Sequence, residues 1–223
     1  MAEYVPNRTI NRNPDCHRLF GKIHKWLKDC DHYHPSCQPQ IWELPATRPT
    51  MLVDVSPPNV DPGIIRLCYP TERNLQYTAL SYCWGALQPN STSKSNLRRY
   101  LKSILLSTLP QAVQNAVEVT RKLNLRYLWV DSLCIIQDSE EEKANEISRM
   151  HSIYNNAYVT IIASSAENCR QGFLGLRQIV SPSAHVAFRG KNGEKGKAHL
   201  RAVPYPMFPP QQQRPEPLDS RAW

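Results

Sequence analysis

The chain has 223 residues, 41% of them hydrophobic and 21% charged, which suits a soluble globular chain with one main core and a small appendage. Lys and Arg number 27 against 19 Asp and Glu, a formal charge of +8, yet Arg98 and Arg99, Arg121 and Lys122, and the Arg189–Lys197 stretch lie apart. With no aromatic-interleaved basic motif these read as solvated faces, and nucleic acid is not an expected partner. No apolar run reaches the roughly 18 residues of a membrane span, and the start MAEYVPNRTINRNPD lacks a signal-peptide core, so a cytoplasmic chain with no membrane partner is expected. Seven cysteines with no small-scaffold spacing fit reduced thiols better than a disulfide framework.

In chain order, DCHRLFGKIHKWLKDC puts Leu19, Phe20, Ile23, Trp26, Leu27 and Cys30 at helical spacing, with Asp15 as its N-cap. The following CDHYHPSC sets Cys30, His34 and Cys37 at a compact zinc-ligand spacing, with Cys16, His17 or His32 as fourth donor. A paired C-x-x-C is missing, so two readings stand: a structural zinc, or plain thiols and imidazoles. Residues 1–48 form this small helical leader. Residues 49–74 read as a Pro-broken connector in which TMLVDVS and GIIRLCY are two short strands, with a hairpin as one way to pair them.

From residue 75 the element types alternate. Strands are expected over Thr78–Cys83, Tyr127–Ile136 and Tyr158–Ala163, and helices over Pro110–Leu123 and Glu140–Asn155, the latter opened by a Ser139/Glu142 capping box. Strand, helix, strand, helix, strand gives an α/β domain, a mainly parallel sheet flanked by helices. Ligands of such sheets bind beyond the carboxyl ends of the strands. Ser81, Trp84, Asp131, Ser132 and Gln137 fall there and are the candidate ligand-binding residues, against the alternative that they serve only turns and caps. Glu146 falls within the apolar stripe of Ile147, Met150, Ile153, Tyr154 and Ala157. A buried carboxylate there is either a catalytic group or half of a structural ion pair, with Arg126 or Arg149 as partner. The segment RGKNGEKGKAHLRAVPYPMFPPQQQRPEP reads as a mobile insertion or a surface loop.

YTALSYCWG, LPQAVQNAVEVTRKLNLRYLWVDSLCIIQDS, EISRMHSIYNNAYVTIIAS and PLDSRAW together resemble the successive motifs of the fungal heterokaryon incompatibility (HET) domain, over Tyr77–Trp223. WLKDCDHYHPSC resembles the leader often found before that domain. In the family the Arg-Ala-Trp motif continues further, so a chain truncated at its carboxyl end is expected. The resemblance implies an effector in fungal non-self recognition and programmed cell death, acting through other incompatibility proteins or by self-assembly. It also implies a distant likeness to Toll/interleukin-1 receptor (TIR) domains, some of which cleave NAD with a helix glutamate. In that case Glu146 is the glutamate, Ser81, Trp84 and Asp131 line the crevice, and NAD is the substrate. No Gly-rich phosphate loop accompanies them.

Overall fold

The computed structural model describes residues 12–34, 48–72, 75–85, 88–176, 183–189 and 193–201. These fall into two compact units, one spanning His17–Phe173 and a smaller one that contains a carboxyl-terminal β-hairpin.

The larger unit is built on a six-stranded sheet with the order β4-β2-β1-β5-β3-β6. Three strands are parallel: β3 (Tyr77–Ser81) lies between β5 (Tyr127–Trp129) and β6 (Val159–Ile162), with Ala79 opposite Trp129 and Thr160. The other three are antiparallel: β1 (Leu52–Asp54) pairs with β5 and with β2 (Ile64–Cys68), and β2 pairs with β4 (Ile104–Leu105). The α/β class is as expected, on a mixed sheet. The two strands read in residues 49–74 do form a hairpin, and it is laid into the main sheet against β5.

Helices cover both faces, which is why β3 is buried at every residue. On one face α3 (Gln111–Lys122) packs through Ala112, Val113, Ala116, Val117 and Thr120, and the Thr120 hydroxyl meets that of Thr78 at 2.6 Å. On the other, Tyr77 donates its hydroxyl to the Ile153 carbonyl of α6 (Met150–Asn155) at 2.5 Å. The α6 residue Tyr154 sets its ring edge-on to Trp129, centroids 5.3 Å apart. α1 (His17–Tyr33) buries Phe20 and is tied to the end of α3 by His24, whose Nε2 meets the Lys122 carbonyl at 2.8 Å. Trp26, expected on the buried stripe of α1, is 59% exposed.

Three expected elements differ in extent. The apolar run Tyr127–Ile136 is not one strand, because β5 ends at Trp129 and a single turn, α4 (Asp131–Cys134), follows. Asp131 opens that turn, and its carboxylate takes the backbone N–H of Ser132 at 2.8 Å, a local bond of the kind that competes with strand pairing. The run remains fully buried, so its apolar character reported burial rather than extended backbone. The helix expected over Glu140–Asn155 is split at Arg149 into α5 (Glu140–Ser148) and α6. The Ser139 hydroxyl makes no cap bond to α5, so the capping box does not form. In the smaller unit, β7 (Ser183–Arg189) pairs antiparallel with β8 (Lys195–Arg201), and β8 lies within the segment read as a mobile insertion or a surface loop.

Candidate functional site at the carboxyl edge of the parallel strands

β5, β3 and β6 run in one direction, so their carboxyl ends open on a single edge of the sheet. β1 runs against β5, which brings the start of β1 to that same edge. The loops leaving these strands are joined to one another. The indole N–H of Trp84, after β3, donates to both carboxylate oxygens of Asp131, after β5, at 3.1 and 2.9 Å. The Tyr82 hydroxyl meets that of Ser132 at 2.9 Å, and Gln88 donates to the same Ser132 oxygen at 3.1 Å. Gln137 folds back to donate to the carbonyls of Asp131 and Ile135 at 3.1 and 3.0 Å. The loop after β6 closes the row: Cys169 N–H reaches the Trp84 carbonyl at 3.3 Å, and Gly85 lies so near Asn168 that an added Cβ would stand 2.7 Å from its Cβ. Gly85 also has φ +78°, so glycine is needed there twice over.

The structure therefore brings Trp84, Asp131, Ser132 and Gln137 into one hydrogen-bonded group. Ser81 ends β3 at the same edge, gives its carbonyl to Ala163 N–H at 2.9 Å, and shares a strand face with Tyr77 and Ala79.

Glu146 is 3% exposed on α5. Its carboxylate accepts from Thr50 twice, from the backbone N–H at 3.1 Å and the hydroxyl at 2.8 Å, and is ion-paired with Arg149 one turn on. Thr50 lies just before β1, so this clamp belongs to the same edge of the sheet as Asp131. Cys134 reports both carboxylates: burial pushes its thiol pKa well up, a bond from Val130 N–H opposes this, and the charges of Glu146 and Asp131 add to the rise. The Tyr77 phenol is likewise pushed up, by burial first and then by Glu146. Of the two roles open to Glu146 in the sequence, the ion pair with Arg149 is the contact present.

Sequence reasoning missed Thr50, Tyr82, Gln88 and Thr92. Thr92 is fully buried, donates its hydroxyl to the Leu133 carbonyl at 2.6 Å, and exchanges backbone bonds with Ser132 and Gln137. It sits in a polar stretch, so nothing local marked it.

At the amino-terminal cluster, Cys30 lies in the last turn of α1 and its carbonyl takes the His34 N–H at 3.1 Å, while Cys37 falls outside the described residues. Among the described residues no three metal donors are gathered.

The family model "Heterokaryon incompatibility protein (HET)" matches residues 77–223. Heterokaryon incompatibility protein 6, OR allele, of Neurospora crassa is 32% identical to this chain over 93 residues. That stretch is 39% of this chain and 14% of the relative, so the chain matches about a seventh of that protein. No solved structure matches the chain.

Proposed function

The chain belongs to the heterokaryon incompatibility family, and from that premise we propose that it is an effector module of fungal non-self recognition. It acts in the cytoplasm by contact with other incompatibility proteins or with its own copies, and its output is programmed cell death. One observation carries this choice over an enzyme. The polar side chains at the strand ends are spent on one another: Asp131 on Trp84, Ser132 on Tyr82 and Gln88, Glu146 on Thr50 and Arg149. Groups bonded in this way brace loops into a fixed surface, which suits recognition, whereas a catalytic carboxylate must be able to meet a substrate.

The second reading is a TIR-like enzyme that cleaves NAD once assembled. It has a specific observation in its favour, because Glu146 is a buried carboxylate on the strand edge where α/β folds hold ligands. In it Glu146 would exchange Arg149 or Thr50 for the ribose, stabilising the positive centre that forms as nicotinamide leaves. A structural zinc held by Cys30, His34 and Cys37 fits either reading, and metal analysis of the purified chain tests it.

Glu146→Gln separates the two, since it keeps an acceptor for Thr50 and removes the charge. Toxicity on expression in fungal cells and nicotinamide release from NAD at high protein concentration are the measurements. The effector reading expects toxicity to survive and no nicotinamide from either form. Nicotinamide released by the native chain and lost in Glu146→Gln would replace it with the enzymatic reading.

A further inference from the structure

Two helices of the larger unit turn faces of opposite charge away from its core. On α1 the packed side is marked by Phe20, by His24 on the Lys122 carbonyl, and by Asp31, which takes the Tyr158 hydroxyl at 2.7 Å. Helical spacing turns Arg18, Lys22, Lys25 and Trp26 to the other side, with Asp29 as the acid among them. Trp26 follows Lys22 by one turn and Arg18 by two, and is 59% exposed. On α5 the packed side is marked by Glu146 on Thr50. The side turned away carries Glu140, Glu141, Ala144 and Ile147, all exposed, with Lys143 at its flank and Ile147 two turns after Glu140.

Among the described residues none of Arg18, Lys22, Lys25, Glu140 and Glu141 is in an ion pair, whereas Lys122 is paired with Glu118 and Arg149 with Glu146. The two faces also match in length and order. Each sets its charges in the earlier turns and its apolar side chain about 11 Å further along the axis, two turns on. Laid parallel, Trp26 meets Ile147 while Arg18 and Lys22 meet Glu140 and Glu141, and the small Ala144 leaves room for the Lys22 stem. An exposed tryptophan among cations is the kind of side chain that anchors protein interfaces.

We propose that the Arg18–Lys22–Trp26 face of α1 in one copy of this chain docks on the Glu140–Ala144–Ile147 face of α5 in the next. The two faces belong to one compact unit and both point out from its core, so they do not meet within a chain. Nucleic acid or anionic lipid would match α1 alone and be repelled by α5, whereas a second copy matches both. Because the faces differ, the contact is head-to-tail, and copies add to one another in a row unless the rotation closes a ring. The inference rests on the effector reading in which copies act by contact, and it sets that contact between a helix that precedes the family match and one within it.

The test is sedimentation velocity of the whole chain across the micromolar range, at low and at high salt. The native chain should sediment faster as its concentration rises, and added salt should reverse this. Arg18→Glu with Lys22→Glu makes both faces acidic, and Glu140→Lys with Glu141→Lys makes both basic. Either pair alone should weaken association about tenfold or more. An equal mixture of the two should assemble again, because basic meets acidic wherever one variant contacts the other. Trp26→Ser should weaken association by roughly thirtyfold, as loss of an aromatic anchor does. Glu140→Gln with Glu141→Gln spares the first turn of α5 an unfavourable charge and should show a milder loss, and circular dichroism checks that each variant is folded. A folded native chain that stays monomeric at every concentration in low salt overturns the proposal, whatever vesicles or DNA it binds. So does a mixture of folded variants that fails to assemble. Expression in fungal cells separates this from the effector reading: toxicity of a chain that never assembles leaves that reading standing without this contact, and assembly without toxicity does the reverse.

Discussion

The two ends of β5 each bury a carboxylate and solve the problem differently. At the amino end Asp54, 1% exposed, is held by charge: Arg126 reaches it at 3.0 and 2.8 Å and Arg66 at 3.3 Å. Burial alone would raise the Asp54 carboxyl pKa, but the hydrogen bond and charge of Arg126, the Ser56 N–H and the charge of Arg66 outweigh it, and the net shift is downward. At the carboxyl end Asp131 is held by the indole of Trp84 and the N–H of Ser132. The first arrangement fixes the pairing of β1, β2 and β5, with arginines that reach water. The second ties together loops from three parallel strands. An arginine-paired carboxylate at the sheet's amino end supports stability, and a carboxylate held by uncharged N–H donors at its carboxyl end shapes the surface where α/β folds recognise ligands.

Arg126→Met tests the contrast most severely. It leaves buried Asp54 with Arg66 as its remaining charge partner, and because Arg126 is itself half exposed the unfolding free energy at neutral pH should fall by about 2 kcal/mol. Because the folded pKa of Asp54 is depressed, its contribution is present above the unfolded value and is lost as pH falls through the folded one. Denaturation curves of native and variant chains should therefore converge in acid, below the ordinary carboxyl value of 3.8. A gap that stays constant into acid would show that the arginine acts by packing rather than by charge.

Trp84→Phe probes the other end. It removes the N–H that meets Asp131 and keeps most of the ring, so a loss of about 1–2 kcal/mol is expected. The sharper expectation concerns salt: the Arg126→Met loss should shrink when salt is added, since Arg126 is half exposed, whereas the Trp84→Phe loss should hold. Equal salt dependence in both would erase the distinction drawn between the two ends.

Ser139→Ala is the smallest. A working N-cap is worth about 1 kcal/mol, but the Ser139 side chain makes no cap bond to α5, so thermal unfolding should move by less than a few tenths of a kcal/mol. A full capping loss would restore the box that the sequence suggests.

Much of the fold was legible because it rests on local pattern. Val113, Ala116, Val117 and Thr120 keep helical spacing and cover β3, and the strand read over Thr78–Cys83 is present at Tyr77–Ser81. The candidate edge was legible too, as polar residues following apolar runs. What escaped was non-local. The apolar run through Ile136 looked like strand to its end because burial and extended backbone give the same signal over so short a stretch. Thr50 and Thr92 carried no mark of their own, since their roles come from partners 96 and 41 residues away.

The basic stretch after Arg189 shows the same limit from the other side. Read along the chain, its cations alternate with glycine and alanine and resemble a solvated loop. Read across β7 and β8, the stretch pairs residue by residue with Ser183–Arg189 as an antiparallel strand. The sequence by itself determined the α/β class, the helices α1 and α3, the family motifs and the buried position of Glu146, because each follows from periodicity or order within one segment. The tertiary structure alone decided that the hairpin before β3 joins the main sheet, that Glu146 is ion-paired with Arg149 and bonded to Thr50, and that Trp84 and Asp131 meet. Strand pairing and side-chain partners are set by which distant segments can bury apolar surface together while satisfying every polar group, and that choice is made by the whole chain at once.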